Sequence, residues 1–462
     1  MAQELEELLP GRVTTDVAAY LKDWWPLQWV TDEPIGSATA AARPANVAEL
    51  VRLVDFASTR GVPLYVRGGG SSVTGASIPS GGVVVDTASL DQILDLDETN
   101  RTVTVQAGVK LSALESKLNE KRLTLSQFPQ SVELATVGGF VSTLGTGQYS
   151  TLYGGIEDSV LRLEVVLPTG EVIWTRKRGA PRSSVGPDLS RLFLGAEGAF
   201  GIVSAAELKV RRLPGHVWKA AFSFPGFAAA VNAARGLLEL DVRPAVCRAY
   251  NELESQFQFD EKGSALLLVY HFRSEGVLKA VRGEVAALLE EGSTPADPGL
   301  VDAWLEKRFN FREQMDSMRK LGYAVETMEV AARWSRLLEL YYEAVDALGG
   351  VPGVGGVGAH VSHLYDQGAC LYFTVLFQPK EETYRTMWDR MAMVAKSHDA
   401  TISHHHGVGM LKMVYAKDEV PLQVLARIKQ AVDPNGTMSP GRLYGGGAGA
   451  RPAQTSRAPP KA

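Results

Sequence analysis

Apolar residues at Val47, Leu50, Val51 and Val54 recur at i, i+3, i+4 and i+7, which predicts an amphipathic helix ending near Gly61. The apolar run Pro63-Leu64-Tyr65 then predicts a strand that opens into Val66-Arg67-Gly68-Gly69-Gly70-Ser71-Ser72. Further strands are expected at 82–86 and 102–106, a short helix on Leu111, Leu114 and Leu118, a hairpin over 161–174 broken at Pro168-Thr169-Gly170, and a strand over 205–210. Leu213-Pro214-Gly215 marks a domain boundary. Beyond it the texture becomes strand, helix, strand: 217–224, 227–240, 245–250, 265–272 and 277–289, a split βαβ pattern, followed by a strand over 369–377 and a helix over 381–396. The stretch 445–462 lacks apolar periodicity and is expected to be disordered.

With 462 residues the chain exceeds the size of a single hydrophobic core, so two or three packed units are expected. A formal charge of -5 offers no basic field for nucleic acid. Cys247 and Cys370 form no CxxC pair, which fits a reducing compartment and predicts neither a disulfide nor a structural zinc site. The acidic start Met1-Ala2-Gln3-Glu4-Leu5-Glu6-Glu7 is unlike a targeting signal and no apolar run reaches membrane-spanning length. The expectation is a cytoplasmic protein without a transmembrane segment, with peripheral membrane association and homodimerisation left open.

The glycine triplet carries the first chemistry. Without Cβ atoms it can turn sharply and aim N–H groups into one concavity, while Ser71 and Ser72 add hydroxyls; this suits a phosphate, although a glycine triplet also serves as a plain turn. GxGxxG is absent there, which disfavours a nicotinamide dinucleotide. Comparable segments follow at Gln106 to Val109, Thr136 to Thr143 and Glu197 to Val203. Four such loops in one domain suggest a long cofactor touched mainly by backbone amides and small hydroxyls.

The order of Arg67 to Ser72, Pro129-Gln130-Ser131, Thr136 to Thr143, Tyr153 to Asp158, Gly186 to Leu189 and Glu197 to Val203 resembles the FAD domain of the vanillyl-alcohol-oxidase superfamily. The resemblance implies an α+β fold with a two-part PCMH-type FAD-binding domain and a cap domain carrying a ferredoxin-like split βαβ sheet. The expected division is a helical segment over 1–38, the FAD-binding domain over 39–213, the substrate or cap domain over 214–400, and a segment over 401–444 that closes on the flavin. The implied FAD contacts are Val66, Arg67, Gly68, Gly69, Gly70, Ser71, Ser72, Pro129, Gln130, Ser131, Thr136, Gly139, Ser142, Thr143, Glu197, Gly198, Gly201, Ile202 and Val203. No histidine neighbours the glycine loop in sequence, so the FAD is expected to be non-covalent.

Tyr365 to Phe373, Ser403 to Gly409 and Val432 to Asn435 resemble a narrower branch, alkyl-dihydroxyacetone-phosphate synthase, which uses FAD without net redox to exchange an acyl chain for a fatty alcohol. The resemblance implies catalytic roles for Tyr372, for His404, His405 and His406, and for Arg248. By pattern alone Tyr372 reads as sheet core, Arg248 as a salt-bridged surface group, and the histidines as a flavin wall, a structural triplet or a metal site; the reading adopted assigns no metal. His360 and His363 are candidates for the pocket wall. As a catalyst, the Tyr372 phenol would need a depressed pKa or a cationic neighbour, which the triplet could supply. One correspondence fails: the family's phosphate-site arginine falls on Met315, nineteen residues before Trp334, unless Arg312 or Arg319 takes its place. The expected activity is therefore an FAD-dependent oxidoreductase passing hydride from a small hydroxy-acid or alcohol-type substrate to flavin N5, the alternative being the alkyl transferase. The electron acceptor is unspecified.

Overall fold

The computed structural model describes residues 1–31, 34–179 and 181–443; the expected disordered tail, 445–462, lies outside the described residues. The predicted first helix is Val47–Arg60, capped by the Asn46 side chain accepting from the Glu49 N–H and ended by Gly61 at φ 63°. It buries Leu50, Leu53, Val54 and Ala57 against a small sheet in which Ala40–Ala42, Val83–Asp86 and Leu64–Arg67 run parallel. Val13–Thr14 adds an antiparallel edge to that sheet, so the N-terminal segment holds the helix Ala2–Leu8 and a strand as well as two short 3-10 turns.

A second, antiparallel sheet has the order Ile93–Asp97, Thr102–Gln106, Ile202–Lys209, Val160–Val166, Val172–Trp174. Its last two strands form the expected hairpin, turned where Gly170 donates to the Leu167 carbonyl. Thr102–Gln106 and Ile202–Lys209 bury alternate apolar residues against the helix Leu111–Glu120 and the short helix Val137–Ser142.

The third sheet has seven strands in antiparallel pairs, in the order Thr294–Ala296, His216–Phe224, Ser264–Phe272, Val246–Tyr250, Val354–Tyr365, Gly368–Phe377, Ala324–Arg333. The expected split βαβ is present: His216–Phe224 and Val246–Tyr250, joined by helix Phe227–Gly236, are separated by Ser264–Phe272. The same device recurs in the second half, where Ala324–Arg333 and Val354–Tyr365 are joined by helix Trp334–Gly349 and separated by Gly368–Phe377. One face is covered by Phe227–Gly236, Glu275–Leu289, Trp334–Gly349 and Glu381–Ser397, which bury Leu371, Phe373, Val375 and Phe377 from a single strand. The opposite face is left for chemistry. Among the described residues no helix is long and apolar enough to cross a membrane.

The chain end returns to the strand that feeds the glycine loop. Leu64 donates to the Thr437 carbonyl and Ser439 to that of Leu64. Asp433, 2% exposed, fixes this return by accepting from the Thr437 and Met438 N–H groups and from Lys429 Nζ, which also donates to the Ala199 and Met438 carbonyls. Asp433→Ala would leave the Lys429 ammonium uncompensated and two N–H groups unpaired, so the expected loss is about 3 kcal/mol. Denaturant unfolding followed by tryptophan fluorescence measures it; an unchanged midpoint would mean that the return segment does not contribute to global stability.

Candidate functional site

Between the exposed face of the seven-stranded sheet and the two smaller sheets lies a cavity of about 840 Å³, near the upper end of the roughly 300–1,000 Å³ typical of ligand pockets. The glycine loop forms one wall. Gly70 takes φ 68°, whereas Gly69 is excluded from substitution by contact and not by a positive φ: a Cβ there would stand 1.7 Å from the Leu134 carbonyl oxygen. The backbone N–H groups of Gly69, Gly70, Ser71 and Ser72 donate no hydrogen bond among the described residues. Four successive free N–H groups at a cavity wall make an anion nest. The Ser72 hydroxyl is used within the loop, accepting from the Thr74 and Ala76 N–H groups.

Of the expected cofactor contacts, Val66, Gly68, Gly69, Gly70, Ser71, Ser72, Pro129, Gln130, Ser131, Thr136, Gly139, Ser142, Thr143, Glu197, Gly198, Gly201, Ile202 and Val203 all line this cavity. Arg67 does not. Its guanidinium folds behind the loop, donating to the Tyr20 carbonyl and lying over the Tyr20 ring. The side chain thus braces the loop from the protein side.

The opposite wall is built by register. Tyr250 pairs with His360, His360 with Tyr372, and Tyr372 with Glu329, so one row crosses four adjacent strands. Arg248, two residues from Tyr250 on the same face, is 8% exposed and not a surface group. It donates from Nε to the Tyr250 hydroxyl (2.8 Å), from Nη1 to Ser362 Oγ (3.4 Å) and from Nη2 to His360 Nε2 (2.5 Å). A guanidinium can only donate, so Nε2 of His360 accepts and its Nδ1 carries the proton given to Glu254 Oε1, 3.0 Å away. His360 also stacks on the Tyr372 ring, with centroids 4.6 Å apart.

His363 reaches the same cavity although it lies three residues from His360, against the strand period of two. The ladder is irregular between Ser362 and Leu364, and His363 takes φ 52°, which turns its ring to the cavity side and returns Leu364 to the core. The Tyr372 hydroxyl lies 2.8 Å from His363 Nε2 and 3.0 Å from His405 Nε2. Ser150 Oγ is hydrogen-bonded to His363 Nδ1, His405 Nδ1 to His404 Nδ1 (2.8 Å), and His404 Nε2 to the Tyr365 hydroxyl (2.7 Å). The result is one unbroken chain: Ser150, His363, Tyr372, His405, His404, Tyr365.

Burial favours the neutral form of every histidine in it. Burial, reinforced by His405 and His404, holds His363 well below the usual range; burial with His406 and His404 does the same to His405; burial also lowers His404 against the pull of Glu329. His406 is pushed down to about 4 by burial despite Glu329. Burial and the Cys370 thiol push the Tyr372 phenol well up, against Arg248. The expectation that the triplet would supply a cation to depress this phenol is therefore corrected: its imidazoles are acceptors or neutral donors, and the nearby cation is Arg248.

The triplet also divides. His405 and His406 line the cavity, whereas His404 stands behind His405. The Sγ of Cys370 and a nitrogen from each of His404 and His405 lie within 4.8 Å of one another, a company the sequence did not suggest. All four ring nitrogens of that histidine pair already take part in hydrogen bonds to one another or to Tyr365 and Tyr372. Met315 lines the cavity and is buried, so the thioether stands in the wall itself; Arg319 is exposed beside Asp316, and the Arg312 side chain lies outside the described residues.

Glu254, Ser150, Glu329 and Lys412 were not singled out from sequence. Glu329 accepts from the backbone N–H groups of His404, His405 and His406 and, at 2.8 Å, from Lys412 Nζ. Burial alone would raise its carboxyl; Lys412 and the histidines outweigh that and hold it below the ordinary carboxylate range. Glu197 accepts from the Val408 and Gly409 N–H groups and fixes the other end of the histidine loop.

Residues 38–176 match the model of an FAD binding domain, and residues 213–443 that of the C-terminal domain of FAD linked oxidases. The chain is 28% identical over 447 residues to an alkyldihydroxyacetonephosphate synthase of Dictyostelium discoideum, covering 87% of this chain and 72% of that protein. It is also 28% identical over 436 residues, 88% of each chain, to an uncharacterised FAD-linked oxidoreductase, YgcU, of Escherichia coli O157:H7. A solved alkyldihydroxyacetonephosphate synthase superposes with a TM-score of 0.77 at 24% identity, covering 95% of this chain and 84% of that one. The free N–H nest, the small hydroxyls and the volume of the cavity are the features an extended dinucleotide flavin needs, and together with the two family models they identify the chain as a member of the FAD-linked oxidases, enzymes whose cofactor is FAD.

Proposed function

We propose that this FAD enzyme oxidises a small hydroxy-acid or alcohol-type substrate, with residues 39–213 as the FAD-binding part and 214–400 as the cap. The observation that carries the reading is the neutral chain through Tyr372, which faces the same cavity as the N–H nest. In this reading Gly69 to Ser72 hold the pyrophosphate, Pro129 to Ser131, Thr136 to Thr143 and Glu197 to Val203 line the rest of the cofactor, and the bond to the protein is non-covalent. FAD, when bound, supplies an electron-pair acceptor at its N5 atom.

Oxidation of an alcohol carbon to a carbonyl releases a hydride and the hydroxyl proton. The substrate hydroxyl passes its proton to the Tyr372 oxygen as the Tyr372 proton moves to His405 Nε2. His405 then releases its Nδ1 proton to His404, and His404 releases its Nε2 proton to Tyr365, which is 37% exposed and returns it to water. Neutral imidazoles suit this, since each has one donor and one acceptor nitrogen. Arg248 contributes the fixed positive charge that favours transient negative charge on Tyr372.

Tyr372 and His405 equally serve a transferase that deprotonates its substrate without net redox, and this second reading is favoured by the relatives named as synthases. Met315 supports the first, because a thioether gives no N–H to a substrate phosphate. Anaerobic mixing of the holoenzyme with 2-hydroxy acids, alcohols and acyl-dihydroxyacetone phosphate separates the two. Lasting loss of flavin absorbance with a carbonyl product is expected; efficient alkyl exchange without bleaching would overturn the redox assignment.

Acid precipitation should release intact FAD into the supernatant, and Gly69→Val should abolish flavin content, because the new side chain meets the Leu134 carbonyl. Flavin retained in the pellet would point to a covalent bond, and a yellow Gly69→Val protein would move the phosphate elsewhere. Tyr372→Phe should keep FAD yet slow flavin reduction by on the order of 10²–10⁴. The wild-type reductive rate should stay level as pH falls through 6.5, since burial lowers His363, His404 and His405 below the ordinary imidazole range and keeps them neutral there. A stopped-flow profile that breaks near 6.5 would show an ordinary, exposed imidazole to be the proton acceptor.

A further inference from the structure

The geometry points to Arg308 as an anion-binding residue of the cavity, taking a carboxylate or phosphate group of the substrate that reacts beside Tyr372; this rests on the oxidoreductase reading only for where the reacting carbon lies. Arg308 follows the helix Gly299–Lys307 and lines the cavity. Its guanidinium is held among four rings, with its central carbon 4.6 Å from the centroid of Phe309, 5.2 Å from Tyr149, 5.3 Å from Phe128 and 5.5 Å from Trp304. The rings hold its position through cation–π contact. Nε and Nη1 are buried and have no hydrogen-bond partner among the described residues.

Two buried N–H donors without a partner are costly to the folded protein. Arg248 shows the contrast: each of its three nitrogens donates to a side chain, of Tyr250, Ser362 and His360 in turn, whereas Nε and Nη1 of Arg308 donate to none. Trp304 lies between the two, with the Arg248 guanidinium carbon 5.4 Å from the same indole. A substrate whose reacting carbon faces Tyr372 can therefore extend past Trp304 to place an oxyanion on the Arg308 guanidinium. Nε–H shares one edge of the guanidinium with Nη2 and Nη1 shares the other with Nη2, and either edge presents two parallel N–H donors to an oxyanion. Gln148, whose Oε1 is likewise buried without a partner, lines the same cavity.

The test titrates the wild-type holoenzyme and the Arg308→Met and Arg308→Lys variants with acetate and, separately, inorganic phosphate, reading the flavin absorbance change, and compares KM for neutral and anionic alcohols. FAD content reports folding in each variant. At least one anion should perturb the wild-type spectrum, and whichever of the two binds more tightly identifies the group as carboxylate or phosphate. Arg308→Met should weaken that anion by on the order of tenfold to a hundredfold, raise KM for anionic alcohols alone, and leave FAD content unchanged, with Arg308→Lys in between. Anion binding unaffected in Arg308→Met, or an equal loss for neutral and anionic alcohols, would overturn the assignment. Loss of FAD from both variants would also overturn it by giving Arg308 to the cofactor. Because the titration requires no turnover, it reads out even where no substrate reduces the flavin.

Discussion

The working wall of this cavity depends on one carboxylate. Glu329 is fully buried at the centre of the sheet face, and the cost of placing it there is offset by Lys412 and by three consecutive backbone N–H groups of the histidine loop. A carboxylate so surrounded stays ionised, and as an ion it holds the loop more tightly than a neutral acceptor could. It is also the cross-strand neighbour of Tyr372. The separation between Tyr372 and His405 is therefore set by one rigid group that touches both the strand and the loop, and the proton chain inherits its geometry from that contact.

The second constraint is register. The row Tyr250, His360, Tyr372, Glu329 comes from four strands far apart in sequence, and a slip of one residue in any of them would send its member into the apolar core beneath the helices. The core residues Leu371, Phe373 and Val375 resist such a slip because each is fully buried on the helical side. The hydrophobic effect thus aligns polar groups it does not itself touch. His363 departs from the alternation, and it needs a bulge and a positive φ to do so.

These facts explain what could be read from sequence. The helix Val47–Arg60, the strand before the glycine loop and the hairpin were legible because their periodicity and their caps are local. The expected cofactor contacts, all but Arg67 of which line the cavity, followed from the resemblance that the glycine and hydroxyl segments carry. The stretch 290–368 was not legible. There, Glu326 and Glu329 interrupt the apolar pattern of Ala324–Arg333 while being buried, Glu326 against Trp388 on the helical face and Glu329 on the cavity face. A buried, paired carboxylate has no signature that separates it from a solvated one until its partners are known, and Lys412 lies 83 residues away. Arg67 and His404 were assigned from position in a motif, but which way a side chain turns depends on neighbours such as Tyr20 and Tyr365 that no local pattern supplies.

The electrostatics of the cavity then follow from what has been withheld from water. Two guanidinium groups stand in its wall, and the buried imidazoles close to them are driven toward their neutral forms: His271, pushed down to about 4 by burial and by Arg308, and His360, lowered by burial and by Arg248 against the opposing pull of Glu254. Burial alone would leave such rings as poor proton carriers, but hydrogen bonds at both nitrogens give those along the chain a path on either side. A permanent positive charge that cannot itself lose a proton, placed beside neutral groups that can pass one on, favours negative charge developing at the Tyr372 oxygen without storing it there. The cavity thus separates two tasks, fixed charge on arginine and mobile protons on tyrosine and histidine, and the sheet register keeps them one ring apart.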